Sequence, residues 1–177
     1  MANDLGTPSN VLRFNADGTF DAVFAANAQL ERAGDLLFGA TKLYVTSGKD
    51  IGKVVRFNAD GTFDRVFADT WTGLCRGLAF ALDNSLLVST GNNVVNRYDG
   101  VTGAFIELFA TANGMTTPGG LAVRDQNLHV ACGSLSIDAP SPNSSVLQYD
   151  IATGEFRSVF ASGGGLNWAT FLTFFGD

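Results

Sequence analysis

Histidine occurs once, cysteine and methionine twice each, and proline four times in 177 residues. A lone His129 leaves one imidazole for any Ser-His-Asp or Cys-His unit, and no G-x-S-x-G or H-E-x-x-H pattern accompanies it. On its strand, between Leu128 and Val130, it reads as a structural or surface side chain. Cys75 and Cys132 have neither metal-ligand spacing nor a vicinal partner, which excludes a disulfide scaffold by count; one bridge between them stays open, and two separate, partly buried thiols are the leading reading. Basic residues number 11 against 17 acidic ones, for a net charge of -6. That surface repels phosphate backbones, and Lys42, Lys49 and Lys53 read as a solvated loop rather than a basic patch, so no nucleic-acid partner is expected. No apolar run approaches the roughly 18 residues that span a bilayer. The first ten residues lack a basic and an apolar region of the export type, so no membrane partner is expected and the default location is cytoplasmic.

What the chain does have is apolar mass and repetition. Hydrophobic residues make up 46% and charged residues 16%, enough for a packed core, and fifteen phenylalanines suggest an aromatic one. Val11-Leu-Arg-Phe-Asn-Ala-Asp-Gly-Thr-Phe-Asp-Ala-Val-Phe-Ala25 recurs from Val54 to Ala68 with one change beyond its second residue, Arg65 for Ala22. Looser copies run from Val95-Asn-Arg-Tyr to Ala110 and from Val146-Leu-Gln-Tyr to Ala161. Starts at 11, 54, 95 and 146 lie 43, 41 and 51 residues apart, the length range of a four-stranded propeller blade. Each copy alternates apolar and polar residues about a turn, with Gly18 and Gly61 supplying positive φ and Gly103 and Gly154 closing turns one residue longer.

Between the hairpins lies a second strand pair, clearest as Gly77-Leu-Ala-Phe80, a turn at Asp83 to Ser85, and Leu86 to Thr90. With strands A to D in chain order, the recurring hairpin is C and D, and A opens with Gly34, Gly77 or Gly120, where missing side chains let backbones approach near an axis. The expected fold is all-β, a β-propeller of about four four-stranded blades, closed within one chain or completed by a homodimer. It is laid out as a partial blade over 10–33, blades over 34–76, 77–119 and 120–168, and a closing strand over 169–177. Met1 to Ser9 shows no convincing strand, so the first blade is expected to hold C and D, to lack B, and to receive A from Thr170 to Phe175.

On the segments Gly77 to Phe80 and Val146 to Leu166, the chain resembles bacterial propeller repeats of the NHL type and, more distantly, the gluconolactonase and SMP-30-like group. That resemblance implies the architecture. NHL-like propellers serve as protein-binding, nucleic-acid-binding and enzymatic scaffolds alike, usually with six blades rather than four, and function is not implied by fold.

The short C-to-D turns share one side of such a fold and the irregular D-to-A and B-to-C loops the other, where recognition concentrates. Trp71, Arg76, Met115, Asn167 and Trp168 are the candidate ligand-binding residues, placed in loops that lead into strand A, with Trp and Arg the types enriched at binding hot spots. No catalytic residue, metal ligand or cofactor site is expected. Asn15-Ala-Asp17-Gly18 begins like a calcium loop, but the twelfth positions, Ala26 here and Asp69 in the second copy, are not the bidentate Glu required. The Gly163 to Gly165 run lacks the lysine and helix of a phosphate loop. The leading reading is a non-enzymatic scaffold or binding module for a protein or small ligand. The alternatives are a metal-dependent lactonase- or lyase-like enzyme using Glu31, Asp35, Asn113 or Asn167 in a channel, and a truncated propeller segment without independent role.

Overall fold

The computed structural model of the protein describes residues 1–3, 8–48, 51–70, 74–111, 113–133 and 144–174. Among them, all regular structure is β. The chain divides into two compact units, Met1–Cys75 and Arg76–Asp177.

In the first unit, β1 (Ala2–Asn3), β2 (Asn10–Phe14) and β3 (Phe20–Ala26) form a three-stranded sheet in that order. A four-stranded sheet follows from β4 (Ala33–Phe38), β5 (Lys42–Ser47), β6 (Lys53–Asn58) and β7 (Phe63–Asp69). The second unit holds two more four-stranded sheets. One is β8 (Cys75–Phe80), β9 (Leu86–Thr90), β10 (Val94–Tyr98) and β11 (Phe105–Thr111); the other is β12 (Pro118–Arg124), β13 (Asn127–Cys132), β14 (Ser145–Asp150) and β15 (Phe156–Ser162). Strands A are thus β4, β8 and β12, each starting one or two residues before the glycine that marks it in the sequence.

The repeated turn forms as its chemistry dictates. Gly18 and Gly61 sit at φ +84° and +85° and donate to the carbonyls of Asn15 and Asn58 at 2.9 Å. The side-chain acceptor is the aspartate rather than the asparagine: Asp17 Oδ1 accepts from the Thr19 amide at 2.9 Å and hydroxyl at 2.6 Å, and Asp60 repeats both with Thr62. In the two longer turns, Asp99 and Asp150 do this from the first position, accepting from the Thr102 and Thr153 amides at 2.7 and 2.9 Å. All four C–D hairpins carry two register shifts at matching places, for example between Val54 and Val55 and between Arg56 and Phe57. Such bulges tighten the twist of each outer ribbon.

Two expectations about the ends are corrected. The first sheet does have a third strand, and it comes from the N-terminal residues: β1 pairs Ala2 with Val11 and Asn3 with Asn10, in the place of strand B. Two residues are too few for any periodicity to show in the sequence. At the other end, no strand is formed over 163–174; Phe175 lies outside the described residues. The segment nevertheless stands where a strand A would. A Cβ on Gly77 would meet Gly119 O at 2.2 Å, and one on Gly120 would meet Phe171 Cα at 2.8 Å, so successive inner segments approach backbone to backbone.

The core is more aliphatic than fifteen phenylalanines suggest. Each unit has its own cluster, around Leu43, Val45, Val55 and Phe57 in the first and Leu87, Leu121, Leu128 and Tyr149 in the second. Phe20, Phe63 and Phe105 lie exposed at hairpin ends, edge-on to Phe14, Phe57 and Tyr98. There they clamp the ribbon across the turn rather than fill the interior.

Candidate functional site

The residue just before strand A adopts the left-handed conformation at three of the four inner segments: Arg32 at φ +51°, Thr117 at +43° and Trp168 at +56°. None is glycine or asparagine, and a β-branched or bulky side chain there costs about 1–2 kcal/mol. In the second unit the surrounding loops hold this geometry. Asn93 Oδ1 accepts from the Thr117 amide at 2.8 Å, and the Thr117 hydroxyl donates to Gly133 O at 2.5 Å. The Trp168 amide donates to Ser144 Oγ at 2.9 Å. Gly133 lies against the same segment, where a Cβ would be in ordinary contact with Trp168 Cα at 3.6 Å. Loops from two blades are therefore tied into one surface.

The sequence candidates fall on both sides of this surface. Trp168 is half-buried and Asn167 exposed on it. Met115 is buried at 4% in the apolar cluster of the second unit, so its side chain packs the core instead of facing a loop surface. Arg76 is half-buried within β8, not in a loop. Trp71 lies outside the described residues, as do Lys49 and most of the loop over 133–145. The residues that composition could not pick out are Asn93, Thr117 and Arg32, whose backbone conformation has no signature in their side chains.

In the first unit the matching loop is bound by Ser47, whose Oγ accepts from the Glu31 amide at 2.8 Å. Lys53 Nζ donates to Gln29 Oε1 at 3.0 Å and Lys42 Nζ to Asn58 Oδ1 at 2.5 Å, both from strands, which corrects the reading of a lysine-bearing solvated loop. Glu31 and Asp35 belong to this unit and Asn113 and Asn167 to the other. Among the described residues, no three His, Cys, Asp or Glu side chains gather as metal ligands would.

The groups with nucleophilic potential are held quiet. Burial pushes the thiols of Cys75 and Cys132 each up to about 11, and both are free. Cys75 Sγ donates to the Lys53 carbonyl at 3.0 Å. His129 lies against Phe160 and Phe174, with ring centroids 4.7 and 4.8 Å away, and its Nε2 is 3.2 Å from Gln148 Nε2. Its burial, at 3% exposure, holds its pKa below the usual histidine value. This environment is structural.

Residues 6–24 match the family model described as a domain of unknown function (DUF5122) beta-propeller. The crystal structure of the computationally designed Ika8 protein is similar over 99% of this chain and 49% of that one, with a TM-score of 0.59 at 15% identity. The computationally designed Ika4 protein is similar over 81% of this chain and 80% of that one, with a TM-score of 0.56 at 16% identity. The fold is a β-propeller. The chain spans about half the length of the Ika8 protein, and these likenesses carry architecture alone. No curated protein sequence matches the chain.

Proposed function

We propose that this β-propeller chain is a non-enzymatic binding module that presents its D-to-A and B-to-C loops to a protein or small ligand. The supporting observation is the pair Thr117 and Trp168, held left-handed by hydrogen bonds from neighbouring loops. Backbone held in a costly conformation by its surroundings concentrates where a surface must be preorganised for recognition. Trp168 supplies a rigid amphipathic side chain beside exposed Asn167, the combination that anchors interfaces. The NHL-type character of the repeat belongs to this proposal, supported by the recurring Arg/Gln-Phe/Tyr hairpins.

Selection of a displayed random peptide library on the whole chain tests it. The expected outcome is peptides whose binding is lost on a Trp168→Ala, Asn167→Ala variant that keeps the native circular dichroism. Peptides that bind this variant and the parent equally would place recognition elsewhere and overturn the reading.

A further inference from the structure

One asparagine in the chain is followed by glycine, and this Asn113-Gly114 pair occupies the loop between β11 and β12. The two residues form a turn at φ +56° and +80°, the left-handed conformations that Asn-Gly takes at least cost. The chain is anchored on either side. Thr111 pairs with Val94 at the end of β11, and Met115 is buried at 4% in the core of the second unit. Between those anchors Asn113 and Gly114 stand exposed.

The aspartate-glycine turns of the chain are locked by comparison. At Asp17-Gly18 and Asp60-Gly61 the carboxylate accepts from a threonine amide and hydroxyl, and the glycine amide donates to an asparagine carbonyl at 2.9 Å. Those threonine bonds also hold both side chains in the ionised form, which is a poor electrophile. At Asp99-Gly100 the carboxylate accepts from the Val101 and Thr102 amides at 3.1 and 2.7 Å. Asn113 carries a neutral amide, and among the described residues neither its side chain nor the Gly114 amide has a hydrogen-bond partner. A Cβ built on Gly114 would meet nothing within 4 Å, so the peptide between the two residues has room to rotate out of the turn.

We propose that Asn113 is a site of spontaneous covalent modification, deamidation with isomerisation to isoaspartate. The Gly114 nitrogen gives its proton to solvent and attacks Asn113 Cγ. That C–N bond forms, the bond from Cγ to its amide nitrogen breaks, and ammonia leaves a five-membered succinimide. Water then adds to one of the two imide carbonyls. Opening at Cγ restores the ordinary backbone with aspartate, and opening at the main-chain carbonyl carries the backbone through the side chain as isoaspartate. The sum is amide plus water giving acid plus ammonia, with no change of oxidation state. Either product places a negative charge where the loop was neutral. Isoaspartate also lengthens the backbone by one carbon between the Thr111 and Met115 anchors, in the loop that leads to left-handed Thr117. The site rests on the chemistry of its own turn and stands whether or not that loop face binds a ligand.

The whole chain, native and urea-unfolded in parallel, is incubated in mildly alkaline buffer and then digested with trypsin. The peptide Tyr98–Arg124 has Asn113 as its only side-chain amide. In the native chain this peptide is expected to gain the mass of amide-to-acid exchange ahead of every other asparagine-bearing peptide. Most of the product is expected to resist cleavage before residue 113 by an aspartate-directed endoproteinase, as isoaspartate does. Asn113→Gln is expected to lose the gain, because a six-membered ring closes far more slowly. No gain in the native chain over the time in which the unfolded chain converts overturns the proposal. So does a product that the endoproteinase cleaves completely, or a gain that persists in Asn113→Gln.

Discussion

Gly61 lies under the backbone of Phe24: a Cβ at Gly61 would fall 1.9 Å from the Phe24 carbonyl oxygen. The turn of the second C–D hairpin therefore rests on the outer strand of the first. Gly18 occupies the identical position in an Asn-Ala-Asp-Gly-Thr-Phe turn of the same sequence, with almost the same φ, yet a Cβ there would meet nothing within 4 Å. The two glycines separate conformational need from packing. Gly18→Ala is expected to cost about 1 kcal/mol, for the positive φ alone. Gly61→Ala is expected to cost about 3 kcal/mol or more, because backbone must also move. Urea denaturation of the two variants measures the difference; equal costs would mean the hairpins do not bear on each other in solution.

Asp83 is held well below the usual carboxylate range, at about 2, first by the Ser85 hydroxyl and then by the Ser85 amide and the Arg97 guanidinium. Arg97 spans three elements, reaching Asp83 at 2.5 Å and Glu107 at 3.1 Å while lying over Phe109 at 5.3 Å. A depressed folded pKa contributes stability that is present above the unfolded value, 3.8, and is lost as pH falls toward 2. Asp83→Asn is expected to be less stable than the parent above pH about 4 and to converge with it near pH 2. Thermal melts across that range check the convergence.

Cys75 and Cys132 are buried with thiols raised to about 11, so at neutral pH neither offers appreciable thiolate. Titration of the native protein with a chromogenic disulfide reagent at pH 8 is expected to show no fast-reacting thiol, and two after denaturation. A fast phase in the native state would mean that β8 or β13 opens locally.

Much of the fold is legible in the sequence because its determinants are local. Asp17-Gly18 and Asp60-Gly61 close their own turns, and Gly77 and Gly120 mark the inner strands because close backbone approach excludes a side chain. What is not legible depends on partners distant in sequence. Ala2–Asn3 becomes a strand only because Asn10 and Val11 offer a ladder. Phenylalanine reads as core by hydrophobicity, but a residue's place in the hairpin decides its burial, so Phe57 is hidden while Phe63, beyond the turn, lies exposed. Thr117 and Trp168 take the left-handed conformation under tertiary constraint, against their own preference, so the most distinctive backbone of the candidate surface leaves no trace in residue type. Arg76 lies within β8 because the strand extends further than turn composition suggests, and Met115, though in the loop before β12, turns its side chain into the core.

His129 offers the last test. In the second copy, the corresponding strand-B and strand-C residues are Tyr44 and Arg56; in the fourth they are His129 and Gln148. Removing the guanidinium leaves a neutral pocket in which a neutral imidazole packs between Phe160 and Phe174. Burial is the main cause of its lowered pKa; Arg124 adds to it, while a backbone hydrogen bond at Ala122 and the charge of Asp125 oppose it. As pH falls below 6.5 the unfolded chain takes up a proton that the folded chain refuses, so native stability declines until the folded pKa is passed. His129→Phe is expected to remove that decline. Because His129 is the chain's single histidine, its ring proton resonance reports the titration without assignment. Phe174→Ala is expected to move the midpoint upward, back toward 6.5, by admitting water to the ring. A parent midpoint already at 6.5 would show that Phe174 does not shield His129 in solution.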